Sequence, residues 1–134
     1  MFYIDTSTRE IAAFPYDINT GAIGERRVVA RVAETLGFPD GMAIDARDTL
    51  WVAMWGSGQV TRWDPATGAQ IGSYRVPASQ ATSCAFGGAE MDELYVTTAR
   101  MGLDAAALER EPHAGGLFRL RPGVRGVPPA AYAG

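Results

Sequence analysis

The sequence is poor in the side chains that most often build small catalytic centres. It contains one cysteine, Cys84, and one histidine, His113. A single cysteine excludes an internal disulfide and a thiolate cluster, and gives no sign of an oxidising compartment. A Cys/His zinc site is equally unsupported. A Ser-His-Asp or Cys-His relay would have to use His113, whose setting Glu111-Pro112-His113-Ala114-Gly115-Gly116 reads as a surface turn. Long apolar runs are missing too: nothing approaches the ~18 residues of a membrane-spanning helix, and no basic stretch followed by an apolar one marks the amino terminus. The expected protein is soluble and cytoplasmic, with no membrane partner. Arginines do not cluster, and the net charge of -3 with a pI near 5.1 argues against a nucleic-acid partner.

What the chain has in quantity is apolar and turn-forming residues. Hydrophobic side chains make up 47% and charged ones 20%, and the 16 Gly and 8 Pro are spread along the chain instead of gathered in a linker. That composition excludes wholesale disorder and fits one domain, residues 1–134, around a single core. Short runs rich in β-branched and aromatic residues predict strands at 2–4, 10–17, 27–32, 41–45, 49–55, 59–63, 70–76, 83–88, 94–98 and 116–120, with a helical turn or two at 105–110. The first of these begins directly after Met1, an abrupt start that suits a chain cut inside a repeat.

The runs recur in order. Trp63-Asp64-Pro65-Ala66-Thr67-Gly68 echoes Tyr16-Asp17-Ile18-Asn19-Thr20-Gly21 after 47 positions, and Leu50-Trp51-Val52-Ala53 echoes Phe2-Tyr3-Ile4 and Leu94-Tyr95-Val96-Thr97 at steps of 48 and 44. A period in the forties with several short strands per unit is the pattern of a β-propeller. The fold class expected is therefore all-β. At about 45 residues per blade the chain holds roughly three blades.

Phe38-Pro39-Asp40-Gly41 is the sharpest candidate for chemistry. Pro39 and Gly41 fix the backbone around a carboxylate where a loop enters an inner strand, and loops at one end of a propeller surround its channel. Asp40 is then either an oxygen ligand for Ca²⁺ or Mg²⁺ or the capping acid of an Asp-Gly turn; composition leaves both open. Asp17 and Asp64 recur before a Thr-Gly and read as turn residues. Asp45-Ala46-Arg47-Asp48 and Asp92-Glu93 fall in hairpins, without the spacing of a calcium loop. Trp51 and Trp63 read as packing residues, while Trp55, beside a glycine turn, is open to either packing or carbohydrate stacking.

The chain resembles the SMP-30, gluconolactonase and luciferin-regenerating enzyme family. The resemblance is carried by Phe2-Tyr3-Ile4-Asp5, Pro39-Asp40-Gly41-Met42-Ala43-Ile44-Asp45, Leu50-Trp51-Val52-Ala53, Asp64-Pro65-Ala66-Thr67-Gly68, Thr82-Ser83-Cys84-Ala85-Phe86-Gly87-Gly88, Leu94-Tyr95-Val96-Thr97-Thr98-Ala99-Arg100, the stretch from Glu109 to Phe118, and Tyr132-Ala133-Gly134. It implies the carboxy-terminal half of a six-bladed propeller, one divalent metal ion (Ca, Zn, Mn or Mg) and hydrolysis of a small-molecule sugar lactone. Of the family's metal ligands only the Asp of Pro-Asp-Gly has a place here, so the resemblance assigns Asp40 both the metal and the catalytic role. No substrate-binding residue carries over. A half ring exposes faces that missing blades should cover, so self-association or pairing with an amino-terminal half is expected, and the chain alone is expected to be incomplete as an enzyme. A calcium-binding module without turnover and an inactive structural fragment are the alternatives.

Overall fold

A computed structural model describes residues 1–131, so Tyr132, Ala133 and Gly134 lie outside the described residues. The strands form three antiparallel meanders. The first sheet joins β1 (Phe2–Asp5), β2 (Glu10–Ala13) and β3 (Arg27–Arg31). The second joins β4 (Phe38–Ile44), β5 (Leu50–Trp55), β6 (Gln59–Trp63) and β7 (Gln70–Arg75). The third joins β8 (Ala81–Gly87), β9 (Glu93–Thr98) and β10 (Leu117–Leu120). One short helix, α1 (Ala105–Arg110), interrupts the third sheet between β9 and β10, where its N-cap Asp104 accepts from Ala107 N at 2.7 Å. No helix among the described residues is long and apolar enough to cross a membrane.

The sheets stack face to face, which explains why β5 reads as an unbroken apolar run. Leu50, Val52 and Met54 point at the first sheet and share a core with Ile11, Val29 and Val32. Trp51 and Ala53 point at the third sheet and share a core with Cys84, Leu94 and Val96. A strand covered on both faces needs no polar alternation. The outer turns brace the stack: Asp64 Oδ1 accepts from Ala66 N at 2.9 Å and Oδ2 from Thr67 Oγ1 at 2.8 Å. Gly68, at φ 74°, closes that turn against the Val29 carbonyl of the neighbouring sheet, where a Cβ has no room. Asp17 makes the same kind of turn, accepting from Asn19 N at 2.8 Å.

One letter match is out of phase with the structure. Phe2 and Ile4 face the second sheet, as Trp51 and Ala53 face the third, so Phe2 corresponds to Trp51 and not to Leu50. A one-residue slip exchanges the faces of a strand. Tyr3 consequently stands where Val52 stands in the second sheet. Val52 is fully covered by the first sheet, whereas Tyr3 has no sheet beyond it and is 55% exposed. By the same correspondence the position held by β4 beside β5, and by β8 beside β9, has no strand beside β1 among the described residues. An apolar trough lined by Phe2, Met42, Ala43, Ile44 and Leu50 lies there.

Asp45, read from sequence as a hairpin residue, is the polar hub of the second blade. Its fully buried carboxylate accepts from Trp51 Nε1 at 2.9 Å, Arg47 N at 2.9 Å and Thr49 N at 3.0 Å, with Arg62 at 3.4 Å. Arg62 also lies over the Trp51 ring, 4.6 Å from its centroid, while Tyr74 and Phe86 pack against the same indole. Burial alone pushes the Asp45 carboxyl up, but these donors and the Arg62 charge outweigh it and hold it below the usual carboxylate range. Asp45→Ala leaves the indole N–H and the Thr49 N–H without their partner, so a loss of about 3–5 kcal/mol in urea unfolding is expected. With a lowered folded pKa, the Asp45 contribution is present above the unfolded value near 3.8 and disappears as pH falls through the folded value. The mutant and parent stability curves should therefore converge in acid; a constant gap down to pH ~2 rules out an ionised Asp45 as the cause.

Candidate functional site

The Pro-Asp-Gly segment lies inside β4 and not in a loop entering it. Phe38 pairs with Trp55 and Pro39 with Met54, then the register shifts before Met42 pairs with Val52. Turn-type residues in mid-strand are the mark of a bulge, which turns an extra residue out of the ladder. Pro39 suits that place because it has no N–H to offer the ladder.

Gly41 is required by the neighbouring blade. A Cβ on Gly41 would lie 2.5 Å from Ser83 Cβ and 2.7 Å from Ser83 Cα, inside van der Waals contact with the backbone of β8. The inner strands of two blades thus touch at the bulge. That contact sets Asp40 at the inner end of the stack.

Asp40 differs from Asp17, Asp45 and Asp64. Asp17, Asp45 and Asp64 all accept hydrogen bonds from nearby backbone N–H groups, and the carboxyls of all three are held below the usual range. Asp40 is half-buried, and burial alone acts on it, pushing its carboxyl up with no donor or cation to oppose the shift. The capping reading of Asp40 requires a bonded N–H, and none of its hydrogen bonds or ion pairs is found among the described residues. A half-buried carboxylate without a partner is a functional-site candidate.

The remaining sequence candidates fall to the scaffold. His113 is exposed in a turn. Trp51 and Trp63 are buried, and Trp63 Nε1 donates to Thr61 Oγ1 at 2.8 Å. Cys84 is buried with its Sγ donating to the Trp51 carbonyl at 3.3 Å, and burial pushes its thiol up to about 12, far from nucleophilic use. Glu93 accepts from Tyr95 Oη at 2.6 Å and from Arg121 at 3.0 Å, and these contacts hold its carboxyl low. No group of three Asp, Glu, His or Cys side chains able to hold a metal ion occurs among the described residues. Asp40 by itself supplies one carboxylate against the roughly six to eight oxygens that Ca²⁺ takes, so the donors among the described residues do not complete a metal site.

Comparison with known proteins places these features. Residues 1–100 match the family described as SMP-30/Gluconolactonase/LRE-like region. The chain belongs to that family. Regucalcin of Oryctolagus cuniculus is 45% identical over 99% of the chain, which spans only 45% of that protein's length. The solved structure of a regucalcin from Agrobacterium tumefaciens, described as a calcium-binding protein, superposes on 94% of the chain with a TM-score of 0.86 and 36% identity, over 43% of its own length. A gluconolactonase from Xanthomonas campestris superposes on 66% of the chain with a TM-score of 0.54 and 34% identity, over 27% of its own length. The fold is thus a partial β-propeller, with the three sheets as consecutive blades.

Two outcomes follow from the bulge. Asp40→Asn removes a charge that burial disfavours, so the melting temperature at pH 7 should rise. With the folded pKa raised, the ionised carboxyl weakens folding only as pH climbs past the unfolded value near 3.8, and the gain should vanish below it. A destabilised Asp40→Asn at pH 7 would reveal a partner for the carboxylate. Gly41→Ala should cost about 1–3 kcal/mol by forcing β4 away from β8, whereas Gly56→Ala, with nothing within 4 Å of the new Cβ, should show only the cost of its left-handed φ of 93°. Equal losses in the two variants would exclude the close approach as the reason for Gly41.

Proposed function

We propose that the chain is the carboxy-terminal half, residues 1–134, of a six-bladed propeller that hydrolyses a sugar lactone with the help of one divalent metal ion, and that Asp40 is this half's contribution to the centre. The observation that carries the reading is the unpartnered Asp40 carboxylate on the inner bulge, raised by burial where Asp17, Asp45 and Asp64 are held low. Family membership and the likeness to the Xanthomonas campestris gluconolactonase support the reaction class. The likeness to a regucalcin described as calcium-binding supports an ion, whether Ca, Zn, Mn or Mg.

Within this chain, Asp40 can hold a proton at its carboxylate. A carboxylate is suited to take the proton of a water attacking the lactone carbonyl and return it to the ring oxygen as that C–O bond breaks. Hydroxide adds to the carbonyl carbon, the ring opens, and the product is the aldonic acid. The remaining ion donors, and substrate contacts beyond any this half supplies, must come from the half that covers Tyr3 and occupies the inner position beside β1. A second copy could cover the open faces, but its three sheets bring no spare inner strand.

The competing reading is calcium binding without turnover, favoured by the description of the Agrobacterium tumefaciens protein. A pH-stat assay on gluconolactone separates the two. The purified chain with Ca²⁺, Mn²⁺, Mg²⁺ or Zn²⁺ should show background hydrolysis only, and the chain joined to the amino-terminal half of a regucalcin should turn over with metal. Asp40→Asn in the joined protein should lower kcat by about 10²–10⁴ and weaken ion affinity. Metal-dependent turnover by the chain alone, surviving repurification, defeats the half-site proposal. A folded, ion-binding joined protein without turnover favours the module.

A further inference from the structure

The bulge that carries Asp40 has a counterpart in the next blade. Met42 pairs with Val52 and Cys84 with Val96, while Pro39 pairs with Met54 and Ala81 with Thr98. Because β5 and β9 correspond through Leu50-Trp51-Val52 and Leu94-Tyr95-Val96, Met42 matches Cys84, Gly41 matches Ser83 and Asp40 matches Thr82. Both strands lose register at this point, β4 between Pro39 and Met42 and β8 between Ala81 and Ser83. The extra residue of β8 is Thr82.

These two bulges are neighbours, since Gly41 lies against Ser83 with no room for a Cβ. Thr82 is half-buried, and its Oγ1 lies 2.7 Å from Thr97 Oγ1, with either hydroxyl able to donate. A hydroxyl has one donor and two acceptor positions, and Thr97 uses only one of them. Thr82 therefore retains hydrogen-bonding capacity one residue from the Gly41–Ser83 contact, as Asp40 lies one residue from it on the other strand. Being neutral, it suits a hydroxyl group better than an ion.

We propose that Thr82 is a substrate-binding residue of the Asp40 site, where its hydroxyl bonds a hydroxyl of a polyhydroxylated lactone. The proposal rests on the lactonase reading and extends it to a residue of this half. The rival role for the Thr82–Thr97 pair is a cross-strand staple between β8 and β9, which sets stability without touching the substrate.

The test uses the chain joined to the amino-terminal half of a regucalcin, with Thr82→Val, Thr82→Ser and Asp40→Asn. Melting temperature, Mn²⁺ affinity by calorimetry, KM and kcat on gluconolactone, and inhibition by gluconate are measured for each. Thr82→Val should raise KM and the gluconate inhibition constant together by about three- to tenfold, leave Mn²⁺ affinity unchanged, and be rescued by Thr82→Ser. A Thr82→Val protein with parental KM and gluconate inhibition, whatever its melting temperature, overturns the proposal and leaves the lactonase reading standing. Absence of turnover in the joined parent, or an Asp40→Asn protein with parental ion affinity and kcat, overturns the lactonase reading and this proposal with it.

Discussion

The approach of β4 to β8 at Gly41 and Ser83 is the constraint on which the inner end of the stack depends. Two backbones come together where a single methyl group would not fit. That distance is reached only because β4 carries no side chain at the contact and because each strand loses register there, so that one residue per strand is released from the ladder. Asp40 and Thr82 are the residues released. A chemical site on one strand would be a matter of loop placement; two matched bulges in contact make it a property of blade packing.

The outward part of each blade works on a different principle. Leu50, Val52 and Met54 on one face of β5 and Trp51 and Ala53 on the other are all shielded, but by different sheets. A blade is therefore stable by virtue of its neighbours, and each sheet at the end of the stack keeps one face uncovered. Tyr3 on the first sheet and Leu117 on the third, 55% and 65% exposed, mark those faces. The return of the chain across the second and third blades, through Ala46 N to Arg125 O at 2.8 Å and Tyr74 Oη to Pro122 O at 3.3 Å, ties these two together.

Most of the strands were legible in the sequence, and the reasons differ from those that hid the rest. Short β-branched and aromatic runs between Gly- and Asp-rich turns placed β5, β6 and β9 to within a residue, and the paired Asp-x-x-Thr-Gly turns gave the repeat. The phase of β1 was misread because Phe2-Tyr3-Ile4 matches Leu50-Trp51-Val52 in character on either register; only burial distinguishes the faces. Pro-Asp-Gly read as a loop because bulges and turns draw on the same residues. The match of Asp40 with Thr82 was hidden by unequal hairpins: ten positions separate Met42 from its partner Val52, and twelve separate Cys84 from Val96. An alignment by letters loses that equivalence, and only the pairing restores it. The hub at Asp45 was invisible for a further reason, since nothing in an Asp-Ala-Arg-Asp hairpin states that one of its acids meets an indole N–H six residues on.

Asp40, inside β4, and Asp45, just after its end, are the same residue type in opposite environments. Asp45 is the more deeply buried, yet an indole, two amides and a guanidinium surround it, so its charge is the form the fold prefers. Asp40 is less buried and meets no donor, so its charge is a form the fold tolerates at a cost. Burial alone therefore does not separate the two carboxylates, whereas the supply of hydrogen-bond donors does. A donor placed beside Asp40 by this chain would settle the carboxylate and lower its basicity. Left without one, the carboxylate keeps its acceptor positions open.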